Sequence, residues 1–373
     1  MEEKKNALFT IVVIAAVILI FTVADIFHGD RIYSETENRL LATRPQVSYE
    51  AVFSGEFAED YETYVTDQFV SRDKWIAIKT QMDILLQKKE INGVYLGADG
   101  YLIEQHLPED YSEILVAKRT ALLQKLVDEW DAVVMLVPTA DNILTDKMPS
   151  NALYYDQTVL LENIAAQVGE EHYVDVYDSL KTHADEEIYY RNDHHWTSLG
   201  AYYGYLAWAE SMGETPYNYY PDAMTTVSEN FLGTLHSKTN LDRQGDIIQY
   251  FSETQRRRLT VTYDFDRVTD TLYEESYLNT KNQYGFFMDD NHAFIQIDTR
   301  YRNGKTLFVI KDSYANSMVP LLVPHYERIY VVDLRYYNGK LSALMKQMEP
   351  EKGMDVLVLY NCIHFLEDFS YTE

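Results

Sequence analysis

The sequence predicts an α/β fold with a mainly parallel sheet, behind a single apolar N-terminal helix. Three observations predict it. From about residue 112 to the C-terminal region, short apolar runs alternate with segments of helical periodicity. The runs are apolar at successive positions, as strands covered by helices on both faces require. Residues 7–23 (ALFTIVVIAAVILIFTV) are almost entirely apolar and carry no charge.

That first run, at about 1.5 Å of rise per residue, covers most of a hydrocarbon core of about 30 Å. Lys4 and Lys5 precede it, and Asp25 and Asp30 follow. The positive-inside tendency then gives a single pass of the plasma membrane, N-terminus cytoplasmic and main domain outside. Two readings compete: the core of a cleaved signal peptide, with Thr22-Val23-Ala24 as a weak cleavage site, and a buried helix of a soluble protein. The run exceeds an ordinary signal core, which favours an uncleaved anchor. No cysteine stands directly after it, so a lipoprotein anchor is excluded.

A polar linker (31–45) leads into residues 48–86, where Phe57, Tyr61, Tyr64, Phe69, Trp75 and Ile78 recur at helical spacing. Residues 94–96 and 101–103 flank Gly97-Ala98-Asp99-Gly100, a hairpin signal. Helices are expected at 112–130, 157–168 (stopped by Gly169), 197–212 (capped by Thr197 or Ser198, stopped by Gly213) and 341–348. Strands are expected at 132–137, 173–177, 306–310, 328–332 and 356–360. Residues 225–298, rich in Tyr, Thr and Asp, read as an irregular or antiparallel insertion. The expected organisation is a cytoplasmic tip and anchor (1–29), a linker and helical arm (30–90) and a catalytic domain (91–373) containing that insertion.

The formal charge is −27, from 32 basic and 59 acidic residues. Such a field disfavours nucleic acid and anionic membrane surface, although a local basic groove can hide within it. The 32 tyrosines suit a carbohydrate-binding surface or a half-buried core. Cys362, the only cysteine, excludes an intrachain disulfide and reads as core in an apolar strand.

Two places can carry chemistry. In Arg191-Asn192-Asp193-His194-His195-Trp196-Thr197, an extended backbone projects Asp193 and His195 to one side and His194 to the other. A carboxylate beside an imidazole orients a general base; the plainer alternative is a polar helix entry. In residues 306–318 an apolar strand runs into Lys311-Asp312-Ser313 ahead of a helix. Ligands bind beyond the carboxyl ends of such strands, and a serine there can offer both hydroxyl and backbone N–H. Read alone, Ser313 is more simply a turn or cap residue. Together the two places supply a nucleophile, a base and an orienting carboxylate.

Asp193-His194-His195-Trp196, with Lys311-Asp312-Ser313-Tyr314, resembles the DHHW protein family. That family is similar to the SGNH-hydrolase-like domains of alginate O-acetyltransferases. The resemblance extends to Ser34-Glu35-Thr36-Glu37-Asn38-Arg39, Asp67-Gln68-Phe69-Val70-Ser71-Arg72, Gly93-Val94-Tyr95-Leu96-Gly97, Val137-Pro138-Thr139, Phe231-Leu232-Gly233-Thr234 and Asp333-Leu334-Arg335-Tyr336-Tyr337. It implies an SGNH-hydrolase-like three-layer domain and a triad of Asp193, His195 and Ser313, in reversed order relative to ordinary SGNH hydrolases. Lys311 stands where those hydrolases carry glycine, so the oxyanion hole differs; Ser313 N–H is one expected donor and Asn316 another. Arg191, His194, Trp196 and Arg335 are assigned to the substrate-binding set, or serve as structural contacts.

The implied activity is O-acylation, chiefly O-acetylation, of an envelope polysaccharide, with a membrane-bound O-acyltransferase as acyl donor and no cofactor or metal. Three alternatives stay open: an esterase using the same triad, a metal site at Asp193, His194 and His195, and a non-catalytic envelope scaffold or glycan-binding protein. Adjacent histidines suit a single ion poorly, and all three triad residue types are present.

Overall fold

The computed structural model describes residues 2–34, 36–37, 39–255, 258–348 and 353–371, so Glu35 and Asn38 of the motif before Arg39 lie outside the described residues. The chain divides into two compact units, Met1–Lys88 with Thr239–Asp242, and Lys89–Lys238 with Arg243–Glu373.

In the first unit, α1 (Glu2–Phe27) contains a stretch, Lys5–Ala24, long and apolar enough to cross a membrane. A short ladder of β1 (Tyr33–Ser34) and β2 (Arg39–Leu40) follows. The helical pattern of residues 48–86 becomes α2 (Tyr49–Ser54), α3 (Glu56–Gln68) and α4 (Arg72–Leu85). Breaks fall at Gly55 (φ 91°) and Ser71 (φ 57°), both in left-handed conformation. Polar clamps fasten this arm to the segment after α1. Arg39 forks onto Asp67 at 2.8 and 2.5 Å and holds its carboxyl down to about 2. Gln68 bonds both backbone groups of Arg31, and the Arg31 guanidinium meets Asp73 at 2.8 Å.

The second unit opens with a three-stranded meander of β3 (Glu90–Ile91), β4 (Val94–Leu96) and β5 (Leu102–Glu104). Its main sheet has seven strands: β6 (Val133–Val137), β9 (Thr260–Tyr263), β10 (Arg267–Thr269), β11 (Phe294–Asp298), β12 (Thr306–Lys311), β13 (Arg328–Asp333) and β14 (Asp355–Asn361). They are ordered β10-β9-β11-β13-β12-β14-β6. The four strands from β13 to β6 are mutually parallel, and β11, β9 and β10 extend the sheet antiparallel. The region read as an insertion thus supplies this edge, besides a separate ribbon of β7 (Thr225–Phe231) and β8 (Asp246–Tyr250).

Alternation along β12 shows why the fold has three layers. Leu307 and Val309 enter one apolar cluster, with Trp208 and Met318 of helices Ser198–Ser211 and Ala315–Leu322. Phe308 and Ile310 enter a second, with Leu123, Leu161, Leu344 and Phe365 of the helices across the sheet. This is an SGNH-hydrolase-like α/β fold.

Two sequence expectations need correction. Residues 173–177 form no strand: Tyr173 makes one bridge to Val134, and the chain turns into helix Tyr177–Thr182, so the segment touches the sheet edge without running along it. Cys362 is fully buried as expected, but it opens helix Cys362–Asp368 because Asn361 ends β14 and caps that helix by accepting from His364 N.

Gly200 sets how closely the helix after the Asp-His motif packs. A Cβ there would stand 2.3 Å from the Ile188 carbonyl oxygen, a backbone atom that cannot swing aside. Gly200→Ala is expected to lower stability by about 1–2 kcal/mol, overpacking outweighing the helix propensity gained. A fall in thermal midpoint checks this, and an unchanged or higher midpoint contradicts it.

Candidate active site

The carboxyl ends of the four parallel strands converge. Thr139 follows β6, Ser313 follows β12, Asp333 ends β13 and Asn361 ends β14. Ligand sites of open α/β sheets form at this edge. Here the loop 190–195 meets the serine turn.

The loop is a closed bend, not the extended strand expected from the sequence. Tyr189 bridges Trp196 at its base, and Tyr190 N–H donates to the His195 carbonyl. Asp193 Oδ1 accepts from His195 N at 3.0 Å and from His195 Nδ1 at 2.5 Å. The pairing of residues 193 and 195 therefore comes from a turn, because the carboxylate folds back onto the backbone two residues on. His195 Nε2 lies 2.8 Å from Ser313 Oγ. Asp193 Oδ2 accepts from the N–H and hydroxyl of Thr234, at 2.8 and 3.1 Å. Burial works to raise the Asp193 pKa, but the two imidazoles and these donors hold it well below the usual carboxylate range.

The serine turn is fixed as firmly. Asp312, fully buried, accepts from Tyr314 N, Asn361 N and His364 Nδ1 at 2.9, 2.9 and 3.0 Å. Trp196 Nε1 donates to the Tyr314 carbonyl at 2.8 Å, and the Tyr314 hydroxyl donates to the His194 carbonyl, so two bonds lock the loop to the turn. Beneath the turn, buried Lys311 lies 2.7 Å from Asn316 Oδ1, 3.0 Å from Asn291 Oδ1 and 3.3 Å from Asp333 Oδ2. Burial pushes the Lys311 pKa down, against the opposing pull of Asp333. Ser313 N–H donates to no acceptor among the described residues and is free for a ligand.

The residues assigned by sequence divide accordingly. Asp193, His195 and Ser313 come together. His194 lies tilted against His195, 3.9 Å between ring centroids, and donates Nδ1–H to Thr234, whose own proton goes to Asp193. Burial, and then His195, push its pKa down to about 3, leaving it neutral. Asn316 directs its side chain at Lys311, Asp290 and Asn291. Trp196 is fully buried. Arg335 grips Asp333 at 2.6 Å. Arg191 pairs with Glu187 and, with Arg243 and Asp246, lines a cavity of about 320 Å³ to which no triad residue contributes. Asp193, His194 and His195 each bring a potential metal ligand within 4.8 Å of the others. However, both His195 nitrogens, His194 Nδ1 and both Asp193 oxygens are already hydrogen-bonded, so an ion would displace the relay.

Sequence reasoning assigned no role to four contributors. Tyr284 stacks on His195 (3.9 Å between centroids, 10° between planes) and donates to the Ser313 carbonyl at 3.2 Å. Thr234 and Gly233 lie within a motif that was noted, but only the fold shows why. A Cβ on Gly233 would stand 2.2 Å from Asp193 Oδ2. Asp246 accepts from Arg191 N and Asn192 N at 3.1 and 2.7 Å, anchoring the loop.

This fold, with a carboxylate–imidazole–serine series at the carboxyl edge of its parallel strands, is a three-layer α/β fold of SGNH-hydrolase-like type. More narrowly, the chain belongs to the DHHW family, whose profile, described as DHHW protein, matches residues 88–332. It is similar to the crystal structure of a DHHW family protein from Eubacterium siraeum, 23% identical with a TM-score of 0.61, covering 76% of this chain and 98% of that one. It is also similar to Bacillus cereus PatB1 with a sulfonyl adduct, 21% identical with a TM-score of 0.59, covering 74% and 98%. The O-acetyltransferase domain of Pseudomonas putida AlgJ aligns at 16% identity and a TM-score of 0.45, covering 74% and 94%. No curated protein matches the chain.

Asp246 gives a pH test. Burial pushes its carboxyl up to about 6, against the two backbone donors. A raised folded pKa means that its contribution to stability is complete below the unfolded value of about 3.9 and is lost as pH rises through about 6. Asp246→Asn should flatten the decline in thermal midpoint over that window relative to the wild type. Parallel profiles for the two proteins would contradict it.

Proposed function

We propose that the chain is an extracytoplasmic serine-dependent O-acyltransferase, chiefly an O-acetyltransferase, acting on an envelope polysaccharide. The observation that carries this reading is the continuous series Asp193 Oδ1, His195 Nδ1, His195 Nε2 and Ser313 Oγ, at 2.5 and 2.8 Å.

Ser313 Oγ attacks the acyl carbonyl while its proton passes to His195 Nε2. Ionised Asp193 stabilises the imidazolium that results. The developing oxyanion accepts from Ser313 N–H. As the tetrahedral intermediate collapses, His195 returns the proton to the departing donor group, leaving an acyl ester on Ser313. A sugar hydroxyl then gives its proton to His195 as its oxygen attacks this ester. Ser313 Oγ departs and takes that proton back. Water in place of the sugar makes the same cycle an esterase. Tyr284, stacked on the imidazole, keeps Nε2 aimed at Oγ through both halves.

In this reading the span Lys5–Ala24 anchors the chain in the plasma membrane with its N-terminus cytoplasmic. Residues 30–90 form an arm and 91–373 the catalytic domain. A membrane-bound O-acyltransferase supplies the acyl group, and exposed tyrosines offer platforms for sugar rings.

The test uses the full chain in detergent with p-nitrophenyl acetate. Wild type should carry one acetyl group by intact mass and turn over. Ser313→Ala should carry none, and His195→Ala should lose at least about 10³-fold in rate. Equal behaviour of the three folded proteins would instead favour a scaffold. With a glycan added, acetyl-glycan in excess of acetate separates transferase from esterase.

A further inference from the structure

The arm is built inside out. In α4, the apolar residues Trp75, Ile78, Met82 and Leu85 recur at spacings of three, four and three, forming one stripe. That stripe is exposed: 46, 52, 52 and 74% for the four side chains, while the buried residues of the helix are Thr80 and Asp83. A stripe of this kind facing outward needs a cover.

Phe21, near the outer end of the apolar span, stacks on Phe69 at 5.6 Å and meets the edge of Trp75 at 5.8 Å. The start of α4 is clamped to the chain immediately beyond the span, by Arg31 on Asp73 and Gln68 on the Arg31 backbone. Tyr64 reaches Asp30 at 2.9 Å. Helix α4 therefore begins at the depth where α1 leaves the hydrocarbon. Its charge also fits. In a chain of net charge −27, residues 72–88 carry Arg72, Lys74, Lys79 and Lys88 against Asp73 and Asp83. Basic residues flanking an outward apolar stripe, with a tryptophan at one end, are the features of a helix lying in a lipid interface.

We infer that α4 is an interfacial helix whose Trp75–Leu85 stripe inserts into the outer leaflet of the bilayer that α1 spans, drawn there also by anionic headgroups. This rests on the anchor reading above.

The test uses the full chain in vesicles of phosphatidylcholine and anionic phosphatidylglycerol, with and without bromine on the acyl chains. Brominated lipid should quench wild-type tryptophan emission, and Trp75→Phe should abolish most of that quenching, because Trp196 and Trp208 are buried and Trp130 packs half-buried against the second apolar cluster, its Nε1 donating to the Tyr371 hydroxyl. Ile78→Asp should reduce it while the protein stays folded. If the chain floats with the vesicles but wild type and Trp75→Phe are quenched alike, the interfacial helix is overturned and the anchor stands. Full quenching in Ile78→Asp overturns it as well. If the stripe is covered by a second copy or a partner helix, Trp75 is not quenched and the inference fails. Failure to float removes the anchor and the inference together.

Discussion

Burying the Asp193 carboxylate costs several kcal/mol unless both of its oxygens meet donors, and the site is arranged around meeting them. One oxygen takes the backbone and the ring of His195; the other takes the backbone and the hydroxyl of Thr234. Bringing Thr234 this close requires that residue 233 have no side chain. The same contacts set the protonation pattern. His195 presents N–H to the carboxylate and its bare nitrogen to Ser313, while His194, held neutral by burial, adds no competing charge.

A second buried layer supports the Ser313 turn from below. Lys311 and Asp333, both fully buried, pair at the ends of adjacent parallel strands, with Arg335 completing the ion set. The sheet register places them opposite each other. A buried pair is costly to break from either side, because one partner is left charged and unmatched. Lys311 therefore has a structural partner, and it draws Asn316 into its network.

Much of this was legible in the sequence. Apolar runs and their closing residues located the parallel strands, and the apolar span, the two motifs that hold Asp193, His195 and Ser313, and the family resemblance were all readable. What failed did so for physical reasons. The loop at Asp193 was read as extended because spacing cannot distinguish a strand from a turn closed by its own side chain. Tyr284 lies in an irregular segment, and its place over His195 depends on packing across residues distant in sequence. Trp196 is readable from the sequence either as a substrate-binding residue or as a structural contact, and its full burial shows which only in the fold. The Asp312–His364 pair joins two strand ends that become neighbours only in the sheet.

Strand order has a consequence for how the molecule is made. β6 lies at the edge of the sheet, and its ladder partner is β14, the last strand of the chain: Val133 pairs with Leu357 and Val137 with Asn361. During N-to-C synthesis the apolar β6 leaves the ribosome long before the strand that covers its hydrogen-bonding edge. The parallel core closes only when residues 355–361 arrive, so this ladder forms after translation of the unit is nearly complete. Contacts of such long sequence separation fold slowly and expose strand edges meanwhile. The apolar edge of β6 therefore stays without its ladder partner through most of the synthesis of this unit.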